Sequence, residues 1–442
     1  MVDTQGKDKV LDNKDLKKAM RKVWWKIIPV VFIFYVIAFL DRVNIGFAIS
    51  SIESQLSLSA AVLGLAAGIF FIGYFIFEVP GTYYVEKIGA KKIITIFLIG
   101  WGIFAALTGI SSDALELYFF RFMTGLMEGA FFPGIIYYIS LWFPTRSRAT
   151  AMALFLTAIP ISIIIGAPVA SAIIVTKFLG WRYLFYIEGL LAIVAGVFAP
   201  FIMTNRPQDA KWLTKNEKNA LISKLEEEKR KATKFAKQTV LAALTNVRTI
   251  LLVLIYFFLS IGIYAIAIWT PDIIQLASSS GIVHTGYLVA FLWIVILVSM
   301  VVNGWHSDKT GERLIHVIVP FSLGIIGSLI AMIFIHNFVI LYLGLIIIGI
   351  GTQAGVAVFW SFPTRYLTVG AAAAAIGLIN AFGGLGGFVG PYAIGDIKTA
   401  TGSFYLAYSL VLVSFVLAII FMLILNNMDK KENAANKNKK AK

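Results

Sequence analysis

Two opposite charges lie seven positions apart in one of the most apolar stretches of the chain. Arg121 and Glu128 fall within residues 118–133, whose other side chains are mostly aromatic, aliphatic or small. On a helix this spacing returns both side chains to one face, about 10 Å apart, with Gly125 between them. An ionisable group inside a bilayer costs about 2.5 to 3.5 kcal/mol, so such groups usually face a bundle interior or an aqueous path. The spacing therefore predicts a transport pathway; the alternative is an ion pair that only locks two helices together.

A second pair of charges, Asp41 and Arg42, interrupts the first apolar segment. If the helix of this segment runs outward and the helix of Arg121 runs inward, a rise of about 1.5 Å per residue places these three residues at one depth. Glu128 then lies roughly two turns deeper, near the bilayer midplane. Asp41, Arg42 and Arg121 can therefore meet across two helices.

These residue types suit the binding of a carboxylate that is coupled to proton transfer. A guanidinium stays charged and offers a planar fork that matches a carboxylate, so we expect Arg42 and Arg121 around an organic anion. An anion bound beside Glu128 favours the protonated form of that carboxyl group, which links substrate uptake to proton uptake. The chain has no cysteine and only four scattered histidines. We therefore expect no metal and no cofactor, with protons as the coupling ion.

The composition determines the class of protein. With 59% hydrophobic and 14% charged residues over 442 positions, the chain has too little polar surface for a soluble globule of this size. We predict an all-α membrane protein with twelve transmembrane helices. The predicted spans are 25–48, 60–83, 92–111, 115–139, 148–174, 183–204, 248–270, 285–304, 314–335, 338–359, 370–394 and 403–426.

The positions of the 38 Lys and Arg residues set the orientation of these spans. Nearly all of them fall at the amino end, in the carboxyl tail and after even-numbered spans. By the positive-inside rule both termini are cytoplasmic, and the net charge of +15 reflects this pattern rather than nucleic-acid binding. The predicted units are a basic N-terminus (1–24), an N-terminal bundle (25–204), a cytoplasmic linker (205–247), a C-terminal bundle (248–426) and a basic tail (427–442).

The two bundles repeat short motifs in the same order. The sequence Phe-Pro-Thr-Arg at 143–146 recurs at 362–365. Charged loops follow the second and the eighth span, and they are nearly as far apart in the sequence as the two tetrapeptides. The loop residues are Glu86 and Lys87 in the first half and Asp308 and Lys309 in the second. Ordered matches of this kind indicate two pseudo-symmetric six-helix bundles that arose by duplication.

These motifs also carry a family likeness. The loop at 85–92 resembles the Gly-x3-Asp-Arg-x-Gly-x-Arg-Arg signature of the major facilitator superfamily, with Thr82 at the usual first glycine and Glu86 in place of the aspartate. Within that superfamily the chain resembles the anion:cation symporter family over nearly its whole length. The segments similar to the tartrate, phthalate and hydroxyphenylacetate permease branch are 39–48, 70–81, 128–134 and 206–214.

The resemblance implies a monomeric, multi-pass transporter of the plasma membrane that takes up an organic carboxylate with protons by alternating access. The carboxylate would be tartrate-like, an aromatic acid or a sugar acid. The implied roles are proton coupling for Asp41 and Glu128, anion binding for Arg42 and Arg121, further ligand contacts for Tyr74, Trp360 and Asn380, and gating for Glu86, Lys87, Asp308 and Lys309. Relatives that carry sugar acids tend to have a polar side chain near 157–160, where this chain is apolar after Thr157, which argues against polyhydroxylated acids.

Three other functions compete with proton-coupled symport. An uncoupled carrier or an exchanger of the same fold would share every motif above. A channel is disfavoured because its filter sequence usually repeats by symmetry, whereas the buried charges lie in one half only. An enzyme or an ATP-driven pump is disfavoured because no nucleotide-binding loop, metal-ligand set or activated nucleophile is found.

The predicted topology can be tested with single cysteines, since the natural chain has none. Cysteines at Ser112 and Ser278 should react with an impermeant thiol reagent added outside intact cells. Cysteines at Lys91 and Asp308 should react only after the membrane is opened. The reverse labelling pattern would show that the termini lie on the outer side.

Overall fold

The computed structural model describes residues 4–176, 180–233, 246–363 and 369–440, and helices dominate all of these ranges. The helices of the first half are α1 (Thr4–Val43), α2 (Ile45–Leu56), α3 (Ala60–Ile88), α4 (Ala90–Thr108), α5 (Ala114–Glu128), α6 (Phe131–Trp142), α7 (Thr145–Leu156), α8 (Ala158–Val175) and α9 (Gly180–Ile202). The later helices are α10 (Lys215–Thr233), α11 (Val247–Ser278), α12 (Ile282–Thr310), α13 (Ile315–Ile333), α14 (Phe338–Phe359), α15 (Val369–Gly384), α16 (Gly386–Thr401) and α17 (Tyr405–Lys440).

The predicted class, an all-α membrane protein, is confirmed. Within the described ranges, 11 helical segments are long and apolar enough to cross a membrane, and they match the first ten predicted spans and the last. The remaining predicted span, 370–394, falls on α15 and α16, which have 16 residues each. Either helix alone is shorter than the roughly 20 residues that a span requires. The count of twelve and the cytoplasmic termini therefore stay predictions.

Several predicted spans consist of two consecutive helices rather than one. The break between α5 and α6 follows Glu128 directly, and it has a local cause, because Pro133 has no N–H to donate to the carbonyl of Gly129. A similar break at Asn44 separates α1 from α2, just after Arg42. Three of the predicted site residues, Asp41, Arg42 and Glu128, thus lie in the last turn of a helix beside an interruption.

The predicted cytoplasmic linker contains α10, which packs against the first helix. The Nζ atom of Lys22 lies 2.7 Å from a carboxylate oxygen of Glu217. Residues 234–245 of the linker lie outside the described residues, as do Thr364 and Arg365 of the repeated tetrapeptide. The contact fastens the start of α10 to the N-terminal half.

The two halves pack closely against each other where α3 and α16 cross. A Cβ atom added at Gly64 would lie 2.5 Å from the carbonyl oxygen of Pro391 and 3.2 Å from the Cα of Gly395. Any larger residue at position 64 would force the two backbones apart. Small residues therefore let helices of opposite halves pack backbone against backbone, as is common in membrane bundles.

Polar contacts join the halves at the same end of the molecule. Lys398 of α16 lies 2.8 Å from Asp272 of α11 and 3.5 Å from Glu53 of α2. The Ser50 hydroxyl donates to Asp272 at 2.7 Å. In the predicted topology this is the extracellular end. The halves are thus closed against each other on the predicted outer side of the membrane.

This closure predicts an efficient cross-link. The backbone N–H of Ala61 donates to the hydroxyl of Thr399 at 2.8 Å, so the two positions are adjacent across the halves. Cysteines at both positions should form a disulfide under mild oxidation, seen as a mobility shift that a reductant reverses. If the halves must separate here during alternating access, the cross-linked protein should stop transport, while each single-cysteine variant stays active. Undiminished transport by the cross-linked protein would contradict separation at this end.

Candidate functional site

A cavity of about 90 Å³ lies between the two halves. Helices of both halves line it, so a bound molecule would contact both. The lining residues are Tyr35, Phe39, Arg42, Tyr74, Phe132, Leu156, Ile159, Pro160, Tyr256, Ile263, Tyr264, Met300, Gln353, Val356, Ala357, Trp360 and Asn380. Most of these side chains are apolar or aromatic, and a few polar groups lie among them, which is the usual composition of a small-molecule site.

Arg42 is the one cation among the described residues that line this cavity. Its guanidinium is almost fully buried and lies over the ring of Tyr74, 5.0 Å from the centroid. One terminal nitrogen donates to the hydroxyl of Tyr264 in the opposite half, at 3.1 Å. The other donates to the carboxylate of Glu128. The guanidinium therefore joins the cavity, the second half and a buried acid.

Glu128 lies behind Arg42 and does not line the cavity. Its side chain is fully buried at the end of α5. One carboxylate oxygen accepts from Arg42, and the other has no hydrogen-bond partner among the described residues. Glu128 thus forms its ion pair with Arg42 of α1, and no ion pair of Glu128 with Arg121 is found among the described residues. An anion in the cavity would thus compete with Glu128 for one guanidinium.

Asp41 and Arg121 form a second buried group beside the first. Arg121 donates to the backbone carbonyl of Asp41 at 3.3 Å, and its guanidinium lies 5.1 Å from the ring centroid of Phe70. The backbone of Phe70 also covers Gly125, so the surface between Arg121 and Glu128 is filled by α3. The structure brings Asp41, Arg42 and Arg121 together in one region, but Arg121 and Asp41 are sealed from the cavity in this conformation.

The three residues expected to face the ligand all line the cavity. Tyr74 contributes from α3, Trp360 from the end of α14 and Asn380 from α15. The ring of Trp360 packs edge-on against Tyr256, with centroids 4.9 Å apart. Their contact with a ligand stays a prediction, because their position on the cavity wall shows access and not binding.

One acid beside the cavity was missed in the sequence analysis. Glu78 is buried on α3, one turn after Tyr74, and accepts a hydrogen bond from Asn380 at 2.6 Å. A carboxylate in an apolar span is itself a signal of function, the same signal that singled out Glu128. Glu188, buried on α9 and hydrogen-bonded to Asn44, carries the same signal.

The predicted gating residues lie at helix ends, away from the cavity. Asp308 pairs with Arg313 at 2.6 Å across the turn that ends α12. Lys309 lies over the ring of Trp305, 5.2 Å from its centroid. Glu86 and Lys87 lie in the last turn of α3. An acidic residue followed by a lysine therefore occupies the end of a helix in both halves. Their role in gating stays a prediction.

Comparison with known proteins identifies the relatives of this chain. The family described as the Major Facilitator Superfamily matches residues 31–391. A provisionally named tartrate transporter of Agrobacterium vitis is 41% identical over 93% of each chain. The inner membrane transport protein RhmT of Escherichia coli K12 is 34% identical, over 85% of this chain and 88% of its own. Among solved structures, a D-xylose-proton symporter superposes with a TM-score of 0.74 at 15% identity, over 90% of this chain and 97% of its own.

Because Arg42 lines the cavity and Arg121 does not, the roles of the two arginines can be tested separately. Arg42→Lys keeps the charge but loses the planar fork, so it should weaken binding of a carboxylate by about tenfold or more. Arg121→Lys tests the expectation that Arg121 also contacts the anion, which requires a conformation in which it reaches the cavity. Calorimetry with purified protein measures both. Equal affinity of wild type and Arg42→Lys would exclude Arg42 as the anion-binding group.

Proposed function

This chain belongs to the Major Facilitator Superfamily, and we propose that it takes up an organic carboxylate together with protons by alternating access. The chain is a multi-pass transporter of the plasma membrane and not an enzyme, as its family and its relatives establish. The proposal adds the chemical class of the substrate and the coupling ion. The names of the tartrate transporters among its relatives support a carboxylate as substrate.

The observation that carries the proposal is the ion pair of Arg42 and Glu128 at the cavity wall. A carboxylate that enters the cavity finds Arg42 as its cationic partner. With Glu128 ionised, two anions would share one buried guanidinium, which leaves one negative charge uncompensated in a dry site. A proton on Glu128 removes that charge. Substrate binding and proton binding therefore favour each other.

The same charge count explains why the substrate and the proton would cross the membrane together. The empty site holds Arg42 paired with ionised Glu128, and the loaded site holds Arg42 paired with the substrate beside protonated Glu128. Both forms are neutral. A site that holds only the substrate, or only the proton, carries one uncompensated charge, which is costly to bury when the cavity closes. Only the empty and the fully loaded carrier would then reorient readily.

Asp41 is the second candidate proton carrier. Neither of its carboxylate oxygens has a hydrogen-bond partner among the described residues, although Arg121 contacts its backbone. Protonation of Asp41 would change the charge next to Arg121 in the way that protonation of Glu128 changes the charge next to Arg42. Asp41 is therefore the alternative proton site if Glu128 does not carry the proton.

Glu128→Gln tests the coupling, because it mimics the protonated acid at nearly the same volume. In proteoliposomes this variant should still exchange labelled for unlabelled carboxylate, since its loaded form stays neutral. It should lose most accumulation driven by an imposed pH gradient, because the empty form would bury an unpaired Arg42.

Asp41→Asn in the same assays shows whether the second acid is also required. Full pH-driven accumulation by a well-expressed Glu128→Gln variant would rule out Glu128 as the carrier and leave Asp41. Accumulation by wild-type protein that ignores the pH gradient would instead favour the uncoupled or exchange carrier.

A further inference from the structure

We propose that Glu188 is a further proton-binding site of this protein, and that it shares one proton with Asp41 because both acids lie beside a single cation, Arg121. The site lies behind the cavity and is distinct from the pair of Arg42 and Glu128. Because the shared proton is already present in the empty carrier, its existence does not depend on the proposed function.

Glu188 faces the turn of the first helix that carries Asp41. Its side chain, on α9, is 5% exposed, and its Oε1 accepts a hydrogen bond from Nδ2 of Asn44 in the break between α1 and α2. Its Oε2 has no hydrogen-bond partner among the described residues. Asp41 precedes Asn44 by three positions, which puts the two side chains on one face of this turn. Asp41 and Glu188 are therefore neighbours across α1 and α9.

Arg121 reaches the same turn from α5. One terminal nitrogen donates to the backbone carbonyl of Asp41 at 3.3 Å, and the side chain is fully buried. Its Nε and other terminal nitrogen, and both carboxylate oxygens of Asp41, have no hydrogen-bond partner in the part of the chain that the structure describes. Asp41 and Arg121 are the charged groups that interact electrostatically with Glu188. These three residues form one buried group, the Glu188 cluster, with two acids and one cation.

The charge count requires a proton in the Glu188 cluster. Arg42 and Glu128 also interact with Asp41 and Arg121, but they form an ion pair of their own and add no net charge. With both of its acids ionised, the cluster would keep one negative charge without a partner in a dry interior, which is costly. Two carboxyl groups that share a site in this way do not both ionise, so one of them keeps a proton.

The contacts of the described residues favour neither acid as the sole holder of this proton. The amide of Asn44 donates to Glu188, and a carboxyl group can accept such a bond whether it is ionised or protonated. Arg121 makes its hydrogen bond to the backbone of Asp41, so either carboxylate can balance its charge. When Glu188 holds the proton, Asp41 balances Arg121, and the reverse. The proton thus belongs to the pair and not to one residue.

The cluster adjoins a contact between the two halves. Asn44 directly precedes α2, and Gly46 of α2 packs against the backbone of Ile268 on α11 of the second half. An ionised acceptor binds an N–H group more strongly than a neutral one. The hydrogen bond from Asn44 is therefore stronger when the proton is on Asp41, and the position of the proton affects how firmly the break beside this contact is held.

Infrared spectroscopy of the purified protein can locate the proton. A protonated carboxyl group absorbs at a higher carbonyl frequency than a carboxylate or an amide, so a difference spectrum between wild type and a variant shows the loss of one such group. Glu188→Gln and Asp41→Asn should each remove one band of this kind. Either substitution leaves one acid, which stays ionised beside Arg121, so the same shared proton is lost in both.

The other spectra would overturn the inference. A band that only Glu188→Gln removes would show that Glu188 is permanently protonated. A band that only Asp41→Asn removes would assign the proton to Asp41 alone. A spectrum that neither substitution changes would show that both acids are ionised.

Thermal stability tests the sharing independently. Each single variant should keep a melting temperature near that of wild type, because the remaining acid still balances Arg121. The double variant Asp41→Asn/Glu188→Gln should melt at least about 3 °C below the value that the two single effects predict, since Arg121 is then buried without an anion. Adding Arg121→Gln should recover most of this loss. Purely additive single effects would contradict a shared counter-ion.

A matched control uses another buried acid of the first half. Glu78 on α3 accepts a hydrogen bond from Asn380 and not from this cluster. Glu78→Gln combined with Asp41→Asn should therefore give additive changes in melting temperature. A loss as large as that of the Glu188 double variant would show that the effect is not specific to Glu188, and would overturn the inference.

A further variant covers the case in which Asp41→Asn does not fold. If adding Arg121→Gln restores folding, Glu188 was unable to ionise in place of Asp41, and the inference falls. If folding is not restored, the spectrum of Glu188→Gln remains as the test, and an unchanged spectrum overturns the inference. None of these results bears on Glu128, which Arg42 balances alone, so proton coupling by Glu128 stands or falls by its own experiment.

Discussion

The pairing of one buried guanidinium with one buried carboxylate is the constraint on which the site depends. Arg42 is held between two halves of a membrane protein, where a charge without a partner is expensive. Glu128 supplies the partner from within the first half, and Tyr264 supplies a hydrogen bond from the second. Any change in the charge or position of one of these groups must therefore be matched by the others. In the proposed mechanism, this requirement couples substrate binding, protonation of Glu128 and the relation of the halves.

Helix interruptions place these groups where they can interact. Arg42 lies just before the break at Asn44, and Glu128 lies just before the break that Pro133 causes. The close approach of α3 to α16 then fixes the two halves at one end, where Lys398 contacts Asp272 and Glu53. The cavity lies between this closed end and the pair of Glu78 and Asn380.

Two polar pairs of different kinds lie at the cavity wall, each with one residue that lines the cavity and one acid behind it. The pair of Arg42 and Glu128 lies within the first half and, in the proposed mechanism, keeps the empty site neutral. The pair of Glu78 and Asn380 crosses the halves, and Asn380 lines the cavity. A ligand that contacts both regions would bind groups of both halves at once, which is how differential contacts can bias a carrier between conformations.

The sequence by itself determined the membrane class and the positions of eleven segments able to span, which follow from apolar length, a property of single segments. The cost of buried charge pointed to Arg42, and the family resemblance pointed to Tyr74, Trp360 and Asn380; these are four of the residues that line the cavity. Helical rise also brought Asp41, Arg42 and Arg121 to one depth. Only the tertiary structure decided that Glu128 pairs with Arg42 rather than Arg121, that Arg121 is sealed behind Phe70, and that Glu78 meets Asn380. The physical reason is that rise along an axis gives depth alone, whereas partners are chosen by helix rotation, by side-chain reach and by which backbone fills the space between.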